Sequence, residues 1–282
     1  MKRIGEQVVL KEEEKNGVKF LSFPALEKTG IVRQLFSTRV GGVSEGIFST
    51  MNLSFTRGDD NADVLENYRR IAGVLDCKLE DFVCSDQTHT TNIRVTGRKD
   101  AGKGVVRDKD YADVDGLITN EPGVVLATFY ADCVPLYFVD PVKQAIGLSH
   151  SGWRGTVNKM GLKTVQMMEK TYGTNPADLV AAIGPSICVS CYEVGSEVAE
   201  EFLKAFPKEE EQREILIEKG NEKYLLNLWK ANYFIMRDAG IKEENISVTD
   251  ICTCCNGDEL FSHRKSFGKR GNMGAFLGLV KG

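Results

Sequence analysis

Residues 124–150 read VVLATFYADCVPLYFVDPVKQAIGLSH and are the clearest indication of the fold in this sequence. Its three apolar runs, at residues 124–130, 135–139 and 145–149, are separated by polar and turn-forming residues, which is typical of successive β-strands. Because each run is apolar throughout rather than at alternate positions, we expect the strands to be buried on both faces. The stretch therefore predicts sheet structure in the interior of the protein.

The rest of the chain interleaves further strands with helices. Strand-like runs occur at residues 18–23, 31–36, 81–85, 116–119, 179–183 and 246–249. Apolar residues recur at helical spacing in residues 62–75 and 156–172, and two further helices are predicted at 198–206 and 228–239. The alternation indicates a layered α/β or α+β domain with its sheets buried.

Length and charge limit the classes of protein to consider. A chain of 282 residues corresponds to one or two domains, and no repeat, low-complexity segment or linker marks a boundary. The 36 Lys and Arg residues against 40 Asp and Glu residues give a net charge of -4. A basic excess that would neutralise phosphates is missing, so nucleic acid is not an expected partner.

The sequence contains no recognisable secretory or membrane-spanning segment. The apolar run after the N-terminus ends at the charged residues 11–15, and the longest apolar stretches are far shorter than the roughly 20 residues that cross a bilayer. We therefore expect a cytoplasmic protein without a membrane partner. In that compartment the eight cysteines are expected to be thiols or metal ligands rather than a disulfide framework.

Histidine is scarce, and its positions are informative. The three histidines are His89, His150 and His263. Three imidazoles are too few for the several copper centres of a multicopper oxidase, so this composition argues against such an enzyme in a single chain.

Two of these histidines and one cysteine follow predicted strands, where functional side chains are common. His89 lies after the strand at 81–85, Cys133 interrupts the first two runs of the opening stretch, and His150 ends the third. Two imidazoles and one thiolate would form a three-ligand zinc site with an open fourth position, which is typical of catalytic zinc. Two alternatives stay open: Cys133 is a small buried hydrophobe, or it is a nucleophile activated by a histidine.

Glycine- and arginine-rich turns provide candidate anion sites. Gly152, Trp153 and Arg154 connect the strand that ends at His150 with the helix predicted at 156–172, so free N–H groups could face an anion. Arg39 and Arg57 lie in two other polar turns. Ordinary surface turns, with Trp153 packed in the core, explain the same pattern.

The remaining cysteines form two groups. Cys188 and Cys191 have the Cys-x-x-Cys spacing of metal ligands, whereas the second group, Cys252-x-Cys254-Cys255, is read here as lacking the two-residue spacer. A structural zinc and plain buried or turn thiols are both consistent with these groups.

A series of short motifs runs from about residue 30 to the C-terminus: STRVGGVS at 37–44, NL at 52–53, GDD at 58–60, NYR at 67–69, QTH at 87–89, DVDG at 113–116, ADCVP at 131–135, HSGWRG at 150–155, GPSI at 184–187, CYEV at 191–194 and FSHR at 261–264. In these motifs and in their order the sequence resembles the YfiH/YlmD family. This family carries the labels laccase-domain protein, multicopper polyphenol oxidase and purine nucleoside phosphorylase. Tyr68 and His263 depart from the residues expected in the family, arginine and tyrosine respectively.

The resemblance implies an α+β fold, a single domain spanning residues 1–282 with four layers α/β/β/α and mixed sheets. It also implies zinc, with copper as an alternative, bound by His89, Cys133 and His150. The implied reaction is phosphorolysis of adenosine, inosine, guanosine or S-methyl-5'-thioadenosine to the base and the sugar 1-phosphate, with adenosine deamination as a second activity. Copper-dependent phenol oxidation and peptidoglycan editing are also linked to the family.

Phosphorolysis requires a bound phosphate and a protonated leaving base. We expect Ser37, Arg39, Arg57 and the turn of Gly152, Trp153 and Arg154 to bind substrate or phosphate. Asp132 or Asp115 would orient a ligand imidazole or transfer a proton. The alternatives are a metal-independent Cys-His amidase and a zinc-binding protein without enzymatic activity, and the chain could be a monomer or a homodimer.

Overall fold

The computed structural model describes residues 1–280, and the last two residues of the expected 1–282 domain lie outside this part. Residues 1–280 form fifteen β-strands and eight α-helices. The strands are β1 (Lys11–Lys15), β2 (Val18–Ser22), β3 (Val32–Ser37), β4 (Phe82–Cys84), β5 (Ile93–Val95), β6 (Gly116–Thr119), β7 (Val125–Tyr130), β8 (Val134–Asp140), β9 (Ala145–Ser151), β10 (Val180–Ile183), β11 (Glu193–Gly195), β12 (Leu216–Gly220), β13 (Lys223–Leu226), β14 (Ile246–Val248) and β15 (Met273–Leu279). The helices are α1 (Pro24–Glu27), α2 (Asn61–Leu75), α3 (Trp153–Val157), α4 (Met160–Tyr172), α5 (Ser196–Ala205), α6 (Glu209–Ile215), α7 (Leu228–Asp238) and α8 (His263–Ser266).

The strands form two mixed six-stranded sheets and one three-stranded antiparallel sheet. The first sheet has the order β1-β2-β3-β15-β7-β4, and only its β4-β7 pair is parallel. The second has the order β14-β10-β8-β9-β6-β5, with parallel pairs at both edges. The small sheet has the order β11-β13-β12. The chain crosses between the two large sheets several times, and one of these crossings lies between β7 and β8.

The two large sheets pack face to face around a shared apolar core. Leu126 and Leu277 of the first sheet and Tyr137 and Leu148 of the second belong to this core, and all four are fully buried. The Tyr137 hydroxyl donates a hydrogen bond of 3.2 Å to the carbonyl oxygen of Leu35 in the opposite sheet. The strands of the opening stretch are therefore buried on both faces, as their composition predicts.

Helices cover the outer faces of both large sheets. Helix α2 packs Val64, Tyr68 and Ile71 on the first sheet, and α4 and α7 pack on the second. The arrangement is α/β/β/α, which confirms the expected four-layered fold. The start of α2 follows from its sequence, because the Asp60 side chain accepts a hydrogen bond from the backbone N–H of Ala62 and caps the helix.

One prediction of secondary structure needs correction. The helix predicted at 156–172 is interrupted between α3 and α4, because Lys159 adopts a left-handed conformation with φ 60°. The Asn158 side chain donates to the Arg154 carbonyl oxygen at 2.9 Å and ends the first segment, while the Lys159 ammonium lies 3.4 Å from the Phe206 ring centroid. The charged residues 11–15 form the edge strand β1, and their side chains are exposed or half-buried.

Strand β15 was missed in the sequence, although it lies at the centre of the first sheet. Glycine is unfavourable inside a strand, but Gly274 occupies a place where a side chain would clash. A Cβ atom there would lie 2.5 Å from the Phe276 ring, and the Gly274 backbone N–H donates to Ser37 Oγ at 2.9 Å. The glycine thus serves close packing inside a strand.

None of the helices in residues 1–280 has the length and apolar character needed to cross a membrane.

Candidate active site and metal centre

Three side chains that are far apart in sequence meet where the chain passes between the two large sheets. His89 lies in the loop after β4, Cys133 lies between β7 and β8, and His150 lies in β9. The ligand atoms of these three residues are all within 4.8 Å of one another. Cys133 Sγ is 3.8 Å from His89 Nε2, and the two imidazole centroids are 4.9 Å apart. The structure therefore brings the three predicted metal ligands together.

This donor set fits a zinc ion. Tetrahedral zinc with bonds of about 2.0 Å to nitrogen and 2.3 Å to sulfur requires donor atoms roughly 3.5 Å apart, close to the 3.8 Å observed. Gly152 leaves the space that the group needs: a Cβ atom on it would lie 3.0 Å from His89 Cδ2 and 3.1 Å from Cys133 Sγ. Within the described residues this is one of two groups of His, Cys or acidic side chains close enough to hold a metal.

Asp115 holds two of the three ligands, His89 and His150, in position. Its Oδ1 atom lies 2.8 Å from His150 Nδ1 and accepts the backbone N–H of His89 at 3.1 Å. Its Oδ2 atom accepts the backbone N–H groups of Thr88 and Thr90. Burial opposes ionisation of Asp115, but the bond to His150 and the amide donors outweigh it and lower the carboxyl pKa. One carboxylate therefore fixes both the His150 ring and the His89 loop.

Cys133 and His150 shift each other's pKa in opposite directions. Burial disfavours the thiolate, but the imidazoles of His150 and His89 outweigh this effect and lower the Cys133 pKa to about 6. Burial also disfavours the imidazolium, yet Cys133 and Asp115 raise the His150 pKa to about 9. The thiolate is the form of cysteine that binds metals and acts as a nucleophile.

The backbone is strained at the ligand His89 and directly before the ligand Cys133. His89 has φ 66° and Asp132 has φ 90°, both in the left-handed region. Asp132 is held there by its side chain, which accepts the Thr253 hydroxyl at 2.6 Å and the Arg264 backbone N–H at 2.7 Å. Such strain concentrates at functional sites because the surrounding structure must impose it.

The three ligands lie in the wall of a cavity of about 380 Å³. Basic, polar and aromatic side chains complete its lining. These residues are Leu53, Ser54, Phe55, Thr56, Arg57, Tyr68, Cys84, Ser85, Asp86, Gln87, Gly104, Lys109, Phe129, Ala131, Arg270 and Asn272. A cavity of this size is in the range of small-molecule sites.

Two arginines supply positive charge to this cavity. Arg57, predicted from the sequence, lines it and donates to the Gly268 carbonyl oxygen at 3.1 Å. Arg270 was missed. Its Nε–H is buried without a hydrogen-bond partner among the described residues, and burial and then the charge of Arg57 lower its pKa to about 10. The signal in the sequence that could have indicated Arg270 was its position beside Gly271, shortly before the apolar run at 273–280.

A third cation, Lys109, was also missed. It lines the cavity but forms an ion pair with Asp86, so much of its charge is already matched.

Other predicted site residues lie away from the cavity lining. Ser37 is buried and accepts the Gly274 N–H. Arg39 donates to the carbonyl oxygens of Ser49 at 2.7 Å and Gly257 at 3.1 Å, and its guanidinium lies over the ring of Phe261. Arg39 thus ties loops together.

The turn after His150 also lies outside the cavity lining, as do the two acidic candidates Asp115 and Asp132. Gly152 contacts the ligand group from outside, while the guanidinium of Arg154 stacks on Trp153, with 4.3 Å between them. Asp115 contacts the ligand His150, and Asp132, which precedes the ligand Cys133, accepts the Thr253 hydroxyl. The geometry gives both carboxylates positioning contacts.

Comparison with known proteins agrees with this architecture. The sequence model of the family described as multi-copper polyphenol oxidoreductase laccase matches residues 33–280. Purine nucleoside phosphorylase YlmD of Bacillus subtilis (strain 168) is 38% identical over 248 residues, covering 86% of this chain and 87% of that protein. Adenosine deaminase RL5 of an unknown prokaryotic organism is 33% identical over 235 residues, covering 82% and 88%.

The solved structures lead to the same family. The crystal structure of YlmD from Geobacillus stearothermophilus is similar with a TM-score of 0.89 at 34% identity, covering 97% of this chain and 99% of that one. The chain belongs to the laccase-domain family to which the YfiH and YlmD proteins also belong.

Proposed function

We propose that the protein is a zinc-dependent purine nucleoside phosphorylase with adenosine deaminase activity. The observation that carries this proposal is the cavity in which His89, Cys133 and His150 face the same space as Arg57 and Arg270. Relatives named purine nucleoside phosphorylase and adenosine deaminase support the same assignment. The substrates would be adenosine, inosine, guanosine and S-methyl-5'-thioadenosine, and the whole chain would form one catalytic domain.

Arg57 and Arg270 would bind the phosphate. A buried guanidinium with an unpartnered N–H is suited to an anion, because it gains a strong charge-assisted hydrogen bond on binding. With a pKa of about 10, Arg270 stays cationic at neutral pH. Phe55 and Phe129 provide apolar surface in the same cavity, against which a purine base can pack.

In phosphorolysis a phosphate oxygen forms a bond to C1′ while the bond between C1′ and the purine nitrogen breaks. The electron pair of the broken bond stays on the base, which takes up a proton and leaves. The products are the free base and the sugar 1-phosphate. The arginines would hold the phosphate on the face of the sugar from which it attacks.

His89, Cys133 and His150 would hold the metal at the cavity wall, with zinc as the expected ion and copper as the alternative. Zinc supplies Lewis acidity, which is the chemistry that deamination at C6 of adenine requires. Asp115 would keep the His150 ring oriented through Nδ1, leaving Nε2 directed to the site. Gly152 would keep the space beside His89 and Cys133 open.

Replacing Cys133 tests this function. Cys133→Ala should lose the metal held with His89 and His150 and the release of base from inosine and adenosine, measured by chromatography with phosphate present. Cys77→Ala is the matched control, since Cys77 lies outside the cavity lining, and it should keep both. A Cys133→Ala protein that has lost this metal yet cleaves inosine at the normal rate would refute the role of the metal.

A metal-independent Cys-His amidase is a second candidate, favoured by the low pKa of Cys133 and by the bond between His150 and Asp115. Chelation separates the two functions. An amidase of this kind keeps its activity after complete metal removal and loses it on thiol alkylation. The phosphorylase loses its activity on chelation and regains it when zinc is added back.

A further inference from the structure

A second group of thiols lies outside the cavity, at one edge of the second large sheet. Strands β10 and β14 run parallel there, with Ala181 opposite Ile246. The chain segments that follow them stay side by side: Ser186 pairs with Cys252 in a parallel bridge, and the Thr253 N–H donates to the Ser186 carbonyl oxygen at 3.1 Å. Two cysteine-containing turns are therefore held next to each other by the sheet.

Each turn contributes two thiols to one cluster. The sulfur atoms of Cys188, Cys191, Cys252 and Cys255 are all within 4.8 Å of one another. Cys191 Sγ and Cys255 Sγ are 3.5 Å apart. Four sulfurs bound to a single tetrahedral ion at about 2.3 Å lie roughly 3.8 Å from one another, so the cluster has the size of a mononuclear site.

The spacing of the ligands corrects the sequence interpretation of the second group. In the sequence this group reads Cys252-x-Cys254-Cys255, and the intervening Cys254 obscures the two-residue spacer between Cys252 and Cys255. The structure selects Cys255, and Cys252 and Cys255 are separated by two residues, as Cys188 and Cys191 are. Two Cys-x-x-Cys turns on adjacent segments are typical of tetrathiolate zinc sites.

The backbone around the cluster favours thiolates. Cys252 Sγ accepts the backbone N–H of Cys188 at 3.2 Å and that of Cys255 at 3.4 Å. Amide donors of this kind disperse negative charge on a ligand sulfur. Cys188 and Cys252 are buried, and none of the eight cysteines, which all lie within the described residues, forms a disulfide.

We propose that Cys188, Cys191, Cys252 and Cys255 bind one zinc ion in a closed tetrathiolate site. Each thiol gives up its proton to solvent when its sulfur binds the ion. Four protein ligands leave no open position, so the site is structural rather than catalytic. It is separate from the group of His89, Cys133 and His150.

The tetrathiolate site also supports the cavity. The Thr253 hydroxyl, between two of its ligands, donates to Asp132 Oδ1 at 2.6 Å, and the Ile187 N–H donates to the Asp132 carbonyl oxygen at 3.0 Å. Asp132 precedes Cys133 and holds a left-handed backbone. Zinc at the thiol cluster would fix both turns and, through them, the position of Cys133.

Zinc content of the full-length protein tests the proposal. We expect the double variant Cys191→Ser/Cys255→Ser to contain one zinc ion per chain fewer than the wild type by mass spectrometric metal analysis. Cys254→Ser is the matched control in the same turn and should keep the wild-type content, because Cys254 is outside the four-sulfur group. Equal zinc content in the double variant and the wild type would overturn the proposal.

A second measurement applies if the double variant does not fold. Cys133→Ala protein loaded with zinc should show four sulfur neighbours at roughly 2.3 Å in X-ray absorption spectra. Nitrogen or oxygen neighbours, iron in place of zinc, or a disulfide between Cys191 and Cys255 in protein purified without reductant would each contradict the assignment. The test is independent of nucleoside turnover, so the failure of either proposal leaves the other standing.

Discussion

His150 Nδ1 and Asp115 Oδ1 lie 2.8 Å apart, and both side chains are buried. The same carboxylate accepts the backbone N–H of His89, so one acidic residue sets the geometry of two of the three candidate ligands. Because this bond occupies His150 Nδ1, the other ring nitrogen, Nε2, is the one available to a metal at the cavity wall. A partner of this kind commonly controls metal affinity without touching the metal.

Replacing this carboxylate should weaken metal binding while the fold persists. We expect Asp115→Asn to lower zinc affinity by about 10- to 100-fold, because the amide removes the negative charge beside His150 and accepts fewer bonds from the His89 loop. Competition with a chromophoric chelator measures the affinity. Unchanged zinc affinity in a folded Asp115→Asn protein would show that the pair does not organise the site.

A methyl group at Gly152 should disrupt the same site from the other side. Gly152→Ala places its Cβ 3.0 Å from His89 Cδ2 and 3.1 Å from Cys133 Sγ, so we expect a loss of the zinc held by His89, Cys133 and His150 and of nucleoside cleavage. Gly73→Ala is the control, since this exposed helical glycine has only one atom at 4.0 Å. It should stabilise α2 by about 0.5–1 kcal/mol in denaturant unfolding and leave the metal content unchanged. Normal zinc content in Gly152→Ala would contradict the argument.

The two roles assigned to arginine can be separated by kinetics. Arg270→Met should raise the KM for phosphate by about 10-fold or more, because a charge-assisted hydrogen bond contributes about 1.5–3 kcal/mol. Arg39→Met should instead lower the free energy of unfolding by about 1–3 kcal/mol, since Arg39 binds the Ser49 and Gly257 carbonyl oxygens. A KM effect at Arg39 without one at Arg270 would reverse the assignment.

An ion pair outside the site should make stability depend on pH in acid. Burial opposes ionisation of Asp100, but hydrogen bonds from Lys103 and Arg94 outweigh it and lower its pKa to about 2. An aspartate with a lowered folded-state pKa stabilises the protein above its ordinary pKa of about 4, and this contribution is lost as the pH falls towards 2. Unfolding by denaturant between pH 5 and about 2 should therefore show a smaller acid-induced loss for Asp100→Asn than for the wild type. Parallel curves for the two proteins would contradict this.

Local patterns in the sequence predict much of the fold. The apolar runs at 124–130, 135–139 and 145–149 correspond to β7, β8 and β9, because strands buried on both faces have an unmistakable composition. Strand β15 escaped prediction because its glycines make room for side chains that only the folded sheet brings close: Gly274 faces Leu53, and Gly278 faces Val125. The break at Lys159 likewise depends on a tertiary contact, with Phe206.

The candidate site, like the fold, could be predicted from the sequence only in part. Residue types and motif order single out His89, Cys133 and His150, and the fold brings them together. The place of Arg270 and the different roles of Asp115 and Asp132 depend on loops that meet only in three dimensions. The spacing of residues along the chain does not show which loops contact each other in the folded protein.

The products that zinc-loaded protein forms from inosine, counted by chromatography with and without phosphate, decide whether the protein is a phosphorylase. We expect hypoxanthine and ribose 1-phosphate in equal amounts, and only when phosphate is present. Free ribose formed at the same rate without phosphate, or no release of base at all, would contradict it.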